Sequence, residues 1–464
     1  MSELPINPPI SQTAIVIVVA AVQFLTPFML SAVGVALPTI GREFAANAVH
    51  LGLIEMVYML ALVLFLLPIG RFADIHGRRK IFVAGASIIT LATIALSMAQ
   101  SIETFIVLRF FQGIGAAMIT STSLAILTSV IPQNRRGRAM GIVVSCVYLG
   151  LSAGPTLAGL MTTYLGWRWI FYAALPVEFA ALILAQVKLK GSEWADAQGE
   201  QFDWRGSLLY MMALLGLILG VTHLKEWDMA GWLAGAGLLG MIGFMLVELK
   251  TTSPLIRIQE IIRNRTFAFS NIATWINYSV SFGVMFFFSI FLQTVKGLSP
   301  RDTGMLLVLQ PLVQAIISPL AGRLADKYAP DKIATIGMSI GTIALWISST
   351  ISATSTLSMM RFVLILLGLG FGLFSSPNTA AVMASITPRE YGMAASLLAT
   401  MRSSGMLTSM TIITVILSFY LGNLPITVAT GSAFISSMQT ALLFFAVLSL
   451  VGIGFSIGRV ARKR

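Results

Sequence analysis

Long apolar runs alternate with short polar segments along almost the whole chain. Each run is close to the length of about 20 apolar residues with which a helix crosses a bilayer. The pattern therefore predicts fourteen membrane-spanning helices. The predicted spans are residues 14–38, 51–72, 81–99, 105–131, 140–165, 169–187, 206–224, 232–249, 267–292, 305–324, 333–351, 362–386, 393–421 and 434–457.

A charged turn after the second span is repeated later in the chain. Gly70-Arg71-Phe72-Ala73-Asp74 returns 252 positions on as Gly322-Arg323-Leu324-Ala325-Asp326. Charged residues are costly in hydrocarbon, so both turns are expected at the water interface. The repeat predicts an all-α polytopic membrane protein with two six-helix bundles, an arrangement typical of transporters. The expected divisions are residues 1–190 for the N-terminal bundle, 191–255 for a linker and two inserted helices, and 256–464 for the C-terminal bundle.

Composition agrees with a membrane location. The chain is 57% hydrophobic and 10% charged, whereas about 25% of residues in soluble domains are charged. A net charge of +12 could indicate nucleic-acid binding, but no soluble domain is present to carry a basic patch, so no nucleic-acid partner is expected. Scattered histidines and the absence of a phosphate-binding Gly-x-x-x-x-Gly-Lys loop predict no metal, no cofactor and no enzymatic or ATP-driven activity.

The distribution of basic residues predicts the orientation. Of the 30 Lys and Arg, 22 lie in the loops on the side of Arg78 and six on the opposite side. Short cytoplasmic loops carry such an excess. We therefore expect a multi-pass plasma-membrane protein, working as a monomer in the lipid bilayer, with both termini in the cytoplasm.

Three motifs, in this order, carry a resemblance to a known family. They are the turn from Gly70 to Lys80, the run Arg109-Phe110-Phe111-Gln112-Gly113 in span four, and Gly150-x-x-x-Gly154-Pro155 in span five. Together they resemble the major facilitator superfamily and its fourteen-span subgroup of drug:proton antiporters. The resemblance implies a secondary active transporter that exports lipophilic small molecules by alternating access, coupled to proton influx.

One position departs from the family pattern. The first span usually presents an Asp several residues before Ala-Leu-Pro, and here the aligned residue is Met29. Proton antiport needs a group that is protonated in one state and ionised in another. The alternative function is therefore a uniporter or uncoupled carrier of a specific metabolite or lipid.

Ionisable residues inside the spans are the candidates for coupling, because such groups are rare and costly in a membrane. Glu55 and Arg109 lie at matching depths, so they could pair as a proton-handling unit or as a static salt bridge. Glu55 could also simply be solvated. Glu178, near the middle of span six, is a further coupling candidate, although a hydrogen bond to a neighbouring helix, which an inserted helix could supply, is the favoured interpretation. Arg402, near the bilayer centre, could hold a substrate anion or a backbone carbonyl.

Uncharged residues on four spans are candidates for substrate binding. In the family fold, spans one, four, seven and ten line the central cavity. The candidates beside Arg402 are Met29, Met118, Asn277, Gln310, Gln314 and Asn378. Hydrogen bonding between helices is the commoner use of such polar residues.

A last group of residues is expected to act on conformation. Glycines permit close helix approach and Pro155 removes a helix donor, so Gly150, Gly154 and Pro155 predict a bend or a tight seal. Asp74 could cap a helix or pair with an arginine such as Arg138 and so latch the cytoplasmic side. The turn residues in this group are Gly70, Asp74, Gly77, Arg78, Arg79, Arg323 and Asp326.

Overall fold

The computed structural model describes residues 12–459 without 190–192, 196, 252, 257, 326 and 387–390, and it describes no side chain at 133–138, 144, 188, 260, 262 and 391–393. This part of the chain is helical with short connections. The helices are α1 Gln12–Glu43, α2 Ala48–His76, α3 Arg78–Ser97, α4 Ile102–Val130, α5 Gln133–Tyr164, α6 Arg168–Lys188, α7 Trp204–Thr222, α8 Ala230–Glu248, α9 Ile258–Arg263, α10 Arg265–Ile290, α11 Pro300–Leu307, α12 Leu309–Ala325, α13 Pro330–Ser348, α14 Leu357–Ala384, α15 Tyr391–Tyr420 and α16 Gly431–Ile457.

Thirteen segments of the described chain are long and apolar enough to cross a membrane. α10 continues through a π-helical turn to Val295, and α11 with α12 forms a single crossing, Pro300–Ala325. The predicted span at 333–351 corresponds to α13, which is not among the thirteen because Asp331 and Lys332 occupy its first turn. α13 nevertheless packs between α14 and α16, as the fourteenth long helix of the fold.

The two six-helix bundles repeat the same packing. In the first, α1 packs on α5, and α4 packs on α2 and α3; in the second, α10 packs on α15, and α14 on α12 and α13. Equivalent glycines allow the close approach in each bundle. Gly113 of α4 lies against the Tyr58 carbonyl of α2, and a Cβ at Gly368 of α14 would lie 2.5 Å from the Gln310 carbonyl oxygen of α12. The internal repeat predicted from the charged turns is therefore confirmed in the helix contacts.

The inserted helices α7 and α8 form a hairpin outside the repeat. α7 packs on α2 of the first bundle and on α15 of the second. The Tyr210 hydroxyl donates to the Val63 carbonyl at 2.9 Å, and Lys225 Nζ, just beyond α7, donates to the Ser418 carbonyl at 3.3 Å. α7 therefore bridges the seam between the bundles, while much of α8 faces outward, with Trp232 80% exposed.

The bundles meet at the end where α1 runs into α2, here called the α1–α2 end. The Ala48 amide donates to the Leu424 carbonyl at 3.1 Å. Arg301, at the start of α11, donates its backbone N–H to Thr163 Oγ1 at 3.1 Å and its guanidinium to the Tyr164 hydroxyl at 2.9 Å. Because these contacts join opposite bundles, the structure is closed at the α1–α2 end.

Candidate functional site

A buried ion pair joins α2 and α4 inside the N-terminal bundle. Arg109 Nη2 lies 3.0 Å from Glu55 Oε2, and the two side chains are 0% and 3% exposed. Arg109 Nε also donates to the Ile54 carbonyl at 3.3 Å. Gly113, one turn further along α4, lets the helix approach α2 closely enough for these contacts. Glu55 is therefore held by a guanidinium and is not solvated.

The ion pair continues into a buried polar chain that reaches α6. Arg109 Nη1 donates to Gln112 Oε1 at 2.8 Å, and Gln112 Nε2 donates to Thr93 Oγ1 at 3.2 Å. Thr93 Oγ1 in turn donates to Glu178 Oε1 at 3.0 Å. Glu178 thus bonds α3, a neighbouring helix of its own bundle. Sequence reasoning missed Thr93 and Gln112, although Gln112 lies three residues after Arg109, on the same helix face.

A small cavity lies beside the far end of this chain. Its volume is about 30 Å³, enough to admit water. Met29 of α1, Tyr58 of α2, Gln112 of α4 and Glu178 of α6 all line it. The Arg109 guanidinium stacks 4.3 Å from the centre of the Tyr58 ring, a favourable cation–π distance. Met29, the residue that departs from the family pattern, therefore shares a cavity with Glu178.

The candidates in the C-terminal bundle fall into two groups. Asn378 is used within the bundle, because its Nδ2 donates to Thr274 Oγ1 of α10 at 2.7 Å. Its Oδ1 is buried with no hydrogen-bond partner among the described residues, and the same holds for one polar atom of each of three other candidates: Asn277 Oδ1, Gln310 Oε1 and Arg402 Nε. Gln314 is buried on α12 and Met118 on α4, where Met118 packs against Gly85 of α3.

Arg402 is placed beside an aromatic pair facing the other bundle. Its guanidinium lies 5.8 Å from the centre of the Tyr278 ring, and Tyr278 meets Phe371 edge to face at 5.0 Å. Gly405, one turn after Arg402, makes this possible by bringing α15 close to α10. From the first bundle, the Tyr148 hydroxyl reaches Ser318 Oγ at 3.1 Å. Arg402 has no carboxylate partner among the described side chains.

The α2–α3 turn uses Asp74 locally. Asp74 Oδ1 accepts from Arg78 Nε at 2.7 Å, and Arg78 Nη1 donates to Ser129 Oγ of α4 at 3.2 Å. The proposed partner Arg138 has a side chain outside the described residues. Gly77 adopts φ +114°, a conformation that favours glycine, and so allows α2 to turn directly into α3.

The linker before α7 folds onto this turn. Arg79 pairs with Glu193 at 3.4 Å, and Arg71 forms an ion pair with Glu200. The Arg78 amide donates to the Trp194 carbonyl at 2.9 Å, so the contact includes the backbone. Gly70, one helical turn before Asp74 in α2, faces Ser121 of α4. In the second copy of the motif Arg323 is exposed at the end of α12, and Asp326 lies outside the described residues.

The glycines of α5 form two tight seams. Gly150 lies against the Phe24 carbonyl of α1, and Gly154 lies against Ser31 one turn later. The Pro155 carbonyl lies against Gly304 of α11, in the other bundle. The segment from Gly150 to Pro155 therefore packs α5 both against α1 of its own bundle and against α11 of the other bundle.

Comparisons with known proteins agree with this architecture. The sequence profile of the Major Facilitator Superfamily matches residues 19–410. Riboflavin transporter RibZ of Clostridioides difficile (strain 630) is 29% identical over 392 residues, which cover 84% of each protein. The tetracenomycin C resistance and export protein of Streptomyces glaucescens is 27% identical over 370 residues, covering 79% of this chain and 68% of that protein.

A solved structure shares the fold at lower identity. It is the crystal structure of a bacterial homolog of the human lysosomal transporter Spinster, in an inward-facing and unoccupied conformation. The TM-score is 0.68 at 17% identity, and the match covers 98% of both chains. With two repeated bundles, a matching profile over most of its length and transporters among its relatives, the chain belongs to the Major Facilitator Superfamily and is a multi-pass membrane transporter.

Proposed function

We propose that this transporter exports lipophilic small molecules by alternating access and draws its energy from proton influx. The observation that carries the proposal is the fully buried Glu55–Arg109 ion pair. A buried ion pair contributes little net stability relative to packed apolar side chains. A carboxylate at this position is therefore better explained by proton exchange than by stability.

Substrate is proposed to bind between the bundles, at the surface formed by Arg402, Tyr278 and Tyr148. Arg402 offers a cation without a carboxylate partner among the described residues, and Asn277 and Gln310 have buried acceptors left open. Gln314, Met29 and Met118 complete the proposed set. We propose that Asn378 Nδ2 serves packing, because it already donates to α10, and that its open Oδ1 belongs with these acceptors. Export is also what the names of two relatives state, one for tetracenomycin C and one for cephamycin.

The same proposal includes the arrangement in the membrane. We place residues 1–190 and 256–464 in the two moving bundles and residues 191–255 in the linker and inserted hairpin. Both termini are proposed to lie in the cytoplasm of a monomer in the plasma membrane. The structure would then be closed toward the outside at the α1–α2 end and would take up substrate from the cytoplasm.

Proton coupling is tested by transport into vesicles that hold the purified protein under an imposed pH gradient. Glu55→Gln should abolish uphill transport and retain downhill exchange, because an amide keeps the shape of the side chain but binds no proton. Glu248→Gln is the matched control. Glu248 is also a buried carboxylate, but it lies at the end of α8 and accepts from the Ile256 amide at 3.0 Å. It should transport like the wild type.

The second candidate function is an uncoupled carrier, which Met29 favours because it places no carboxylate on α1 at the family's usual position. In that case wild-type counterflow would proceed without a pH gradient, and an imposed pH gradient would not cause substrate to accumulate. Undiminished uphill transport by Glu55→Gln would instead show that proton coupling does not require Glu55, and would overturn its proposed role.

A further inference from the structure

The buried polar chain contains one more carboxylate than cation. Glu55, Arg109 and Glu178 are its charged members, and each is 5% exposed or less. If both carboxyl groups were ionised, this buried hydrogen-bonded series would carry a net charge of one negative unit with no further cation in it to compensate. Burying an uncompensated charge costs far more than burying a neutral group. One bound proton makes the chain neutral.

The direction of the hydrogen bonds distinguishes the two carboxylates. Arg109 donates directly to Glu55, so Glu55 is stabilised as the anion. Glu178 receives only the neutral Thr93 hydroxyl, on Oε1. Each carboxyl group keeps one buried oxygen without a hydrogen-bond partner among the described residues, Glu55 Oε1 and Glu178 Oε2, so the difference lies in the charge of the donor. Glu178 is therefore the carboxyl group for which the neutral form fits better.

Glu178 also has a route for exchanging a proton. It lines the cavity of about 30 Å³ that is bounded by α1, α2, α3, α4 and α6. The titratable groups that face this part of the bundle are Tyr58 of α2 and Arg109 of α4; the lining residues of α1 and α3 carry none. α5 packs against α6 but contributes none of the described residues that line this cavity. Water in the cavity could thus accept the proton directly from Glu178.

We propose that Glu55 and Glu178 share one exchangeable proton, carried by Glu178 in the closed structure seen here and released to water in the cavity when α1 moves away from α6. The neutral carboxyl group becomes a carboxylate as the water takes the proton. This inference rests on the proposed proton coupling, because it names where the transported proton is held. It makes the two carboxylates interdependent across four helices.

Charge balance predicts how many protonated carboxyl groups each variant holds. Infrared difference spectra of the purified protein, recorded against the wild type, report this number without requiring transport. Glu178→Gln should lose the band of one protonated carboxyl group. Glu55→Gln should lose the same band although Glu178 is still present, because Glu178 then becomes the only counterion of Arg109. Arg109→Gln should gain one band, since both carboxyl groups would be neutral.

Thr93→Val is the matched control, because it breaks the hydrogen bond to Glu178 and leaves every charge in place. Its carboxyl band should shift but remain. Persistence of the Glu178 band in Glu55→Gln would show that the two groups titrate independently and would overturn the inference. Disappearance of the band in Thr93→Val would overturn the charge-balance explanation.

A transport experiment tests whether the exchangeable proton is held at Glu178. Glu178→Gln should lose uphill transport in the vesicle assay. Met29→Asp in that background should restore at least part of it, because residue 29 lines the same cavity. Full uphill transport by Glu178→Gln would overturn the assignment of the proton to Glu178. If the Glu178→Gln protein does not fold, the infrared result for Glu55→Gln, which leaves Glu178 in place, still decides the question.

The two levels of the proposal can fail separately. If the infrared spectra show the shared proton but the wild type never accumulates substrate under a pH gradient, the proposed function fails and the shared proton stands. If accumulation occurs but the carboxyl bands behave independently, only this inference fails.

Discussion

Ser289 of α10 donates its hydroxyl to the Gly34 carbonyl of α1 at 2.7 Å, across the interface between the bundles. This carbonyl is available because Pro38, four residues later, has no N–H to donate to it. Ser289 is fully buried, and Gln293, on the adjoining π-helical turn, donates to the neighbouring Val35 carbonyl at 2.8 Å. A carbonyl that Pro38 leaves without its helical donor in one bundle thus accepts a hydrogen bond from a side chain of the other.

Ser289→Ala should therefore favour opening of the α1–α2 end. An unsatisfied buried carbonyl costs about 1–3 kcal/mol, and about 1.4 kcal/mol is a tenfold change in an equilibrium. Spin labels at Glu103→Cys and Val428→Cys, with Cys146 replaced, would report the change as a larger share of long distances. Ser279→Ala is the control, because Ser279 donates to Trp275 within its own helix. An unchanged distance distribution for Ser289→Ala would contradict the prediction.

Gly304→Val should block closure at the same end. The added side chain would collide with the Pro155 carbonyl, which belongs to the other bundle and cannot move like a flexible side chain. We expect transport to fall at least tenfold while substrate still protects the protein against heating. Gly235→Val is the matched control, since a Cβ at Gly235 meets nothing within 4 Å. Equal transport rates for the two variants would show that the α5–α11 seam does not close tightly.

Arg109→Leu should destabilise the protein strongly. Removing one partner of a buried ion pair costs about 3–5 kcal/mol, because the remaining carboxylate must either stay uncompensated or take up a proton. The double variant Glu55→Leu with Arg109→Leu should recover most of the loss. Thermal melting in detergent checks both statements. A double variant as unstable as Arg109→Leu would mean that Arg109 acts through Ile54 and Gln112 rather than through Glu55.

Gly77→Ala should destabilise the α2–α3 turn for two separable reasons. Its φ of +114° strains any other residue, and a Cβ would lie 2.5 Å from the Glu193 carboxylate. Such backbone strain costs about 1–3 kcal/mol. Gly199→Ala provides the comparison, because Gly199 has φ +92° and open space around it. A larger drop in melting temperature for Gly77→Ala measures the clash with the linker; equal drops would indicate strain alone.

The orientation prediction is tested with epitope tags. A tag at residue 464 and one at residues 197–199 should both face the cytoplasm, because the basic loops lie on that side. A tag at residues 423–429, between α15 and α16, should face outside. Accessibility of either cytoplasmic tag to antibody on intact cells would refute the assignment.

Helix positions could be predicted closely because one physical quantity, the length of each apolar run, determines them. The span predicted at 81–99 is α3, Arg78–Ser97, and the span predicted at 434–457 is α16, Gly431–Ile457. The proximity of Glu55 and Arg109 could also be predicted from the sequence, because the depth of a residue in the membrane follows from counting residues along its span. Such counting needs no knowledge of side-chain contacts.

The remainder of the site depends on helix rotation and on contacts distant in sequence. Thr93 could not be distinguished from the many polar residues that bond to their own helix. The contact of Glu193 and Glu200 with the α2–α3 turn joins two irregular segments, which have no periodic signal. Asp74 of α2 pairs with Arg78, four residues away at the start of α3, and sequence spacing alone did not distinguish this arginine from the others near the turn.

The position of α7 has a consequence for molecules dissolved in the bilayer. α7 covers the groove between α2 and α15, and Tyr210 and Lys225 bond there to Val63 and Ser418. On that side α7 therefore separates lipid from the proposed substrate surface. The groove on the opposite side, between α5 and the crossing formed by α11 and α12, has no inserted helix packed over it among the described residues. Sideways entry of a lipophilic molecule from the membrane would therefore be confined to one flank, and the transporter would be asymmetric toward lipid although its two bundles repeat the same packing.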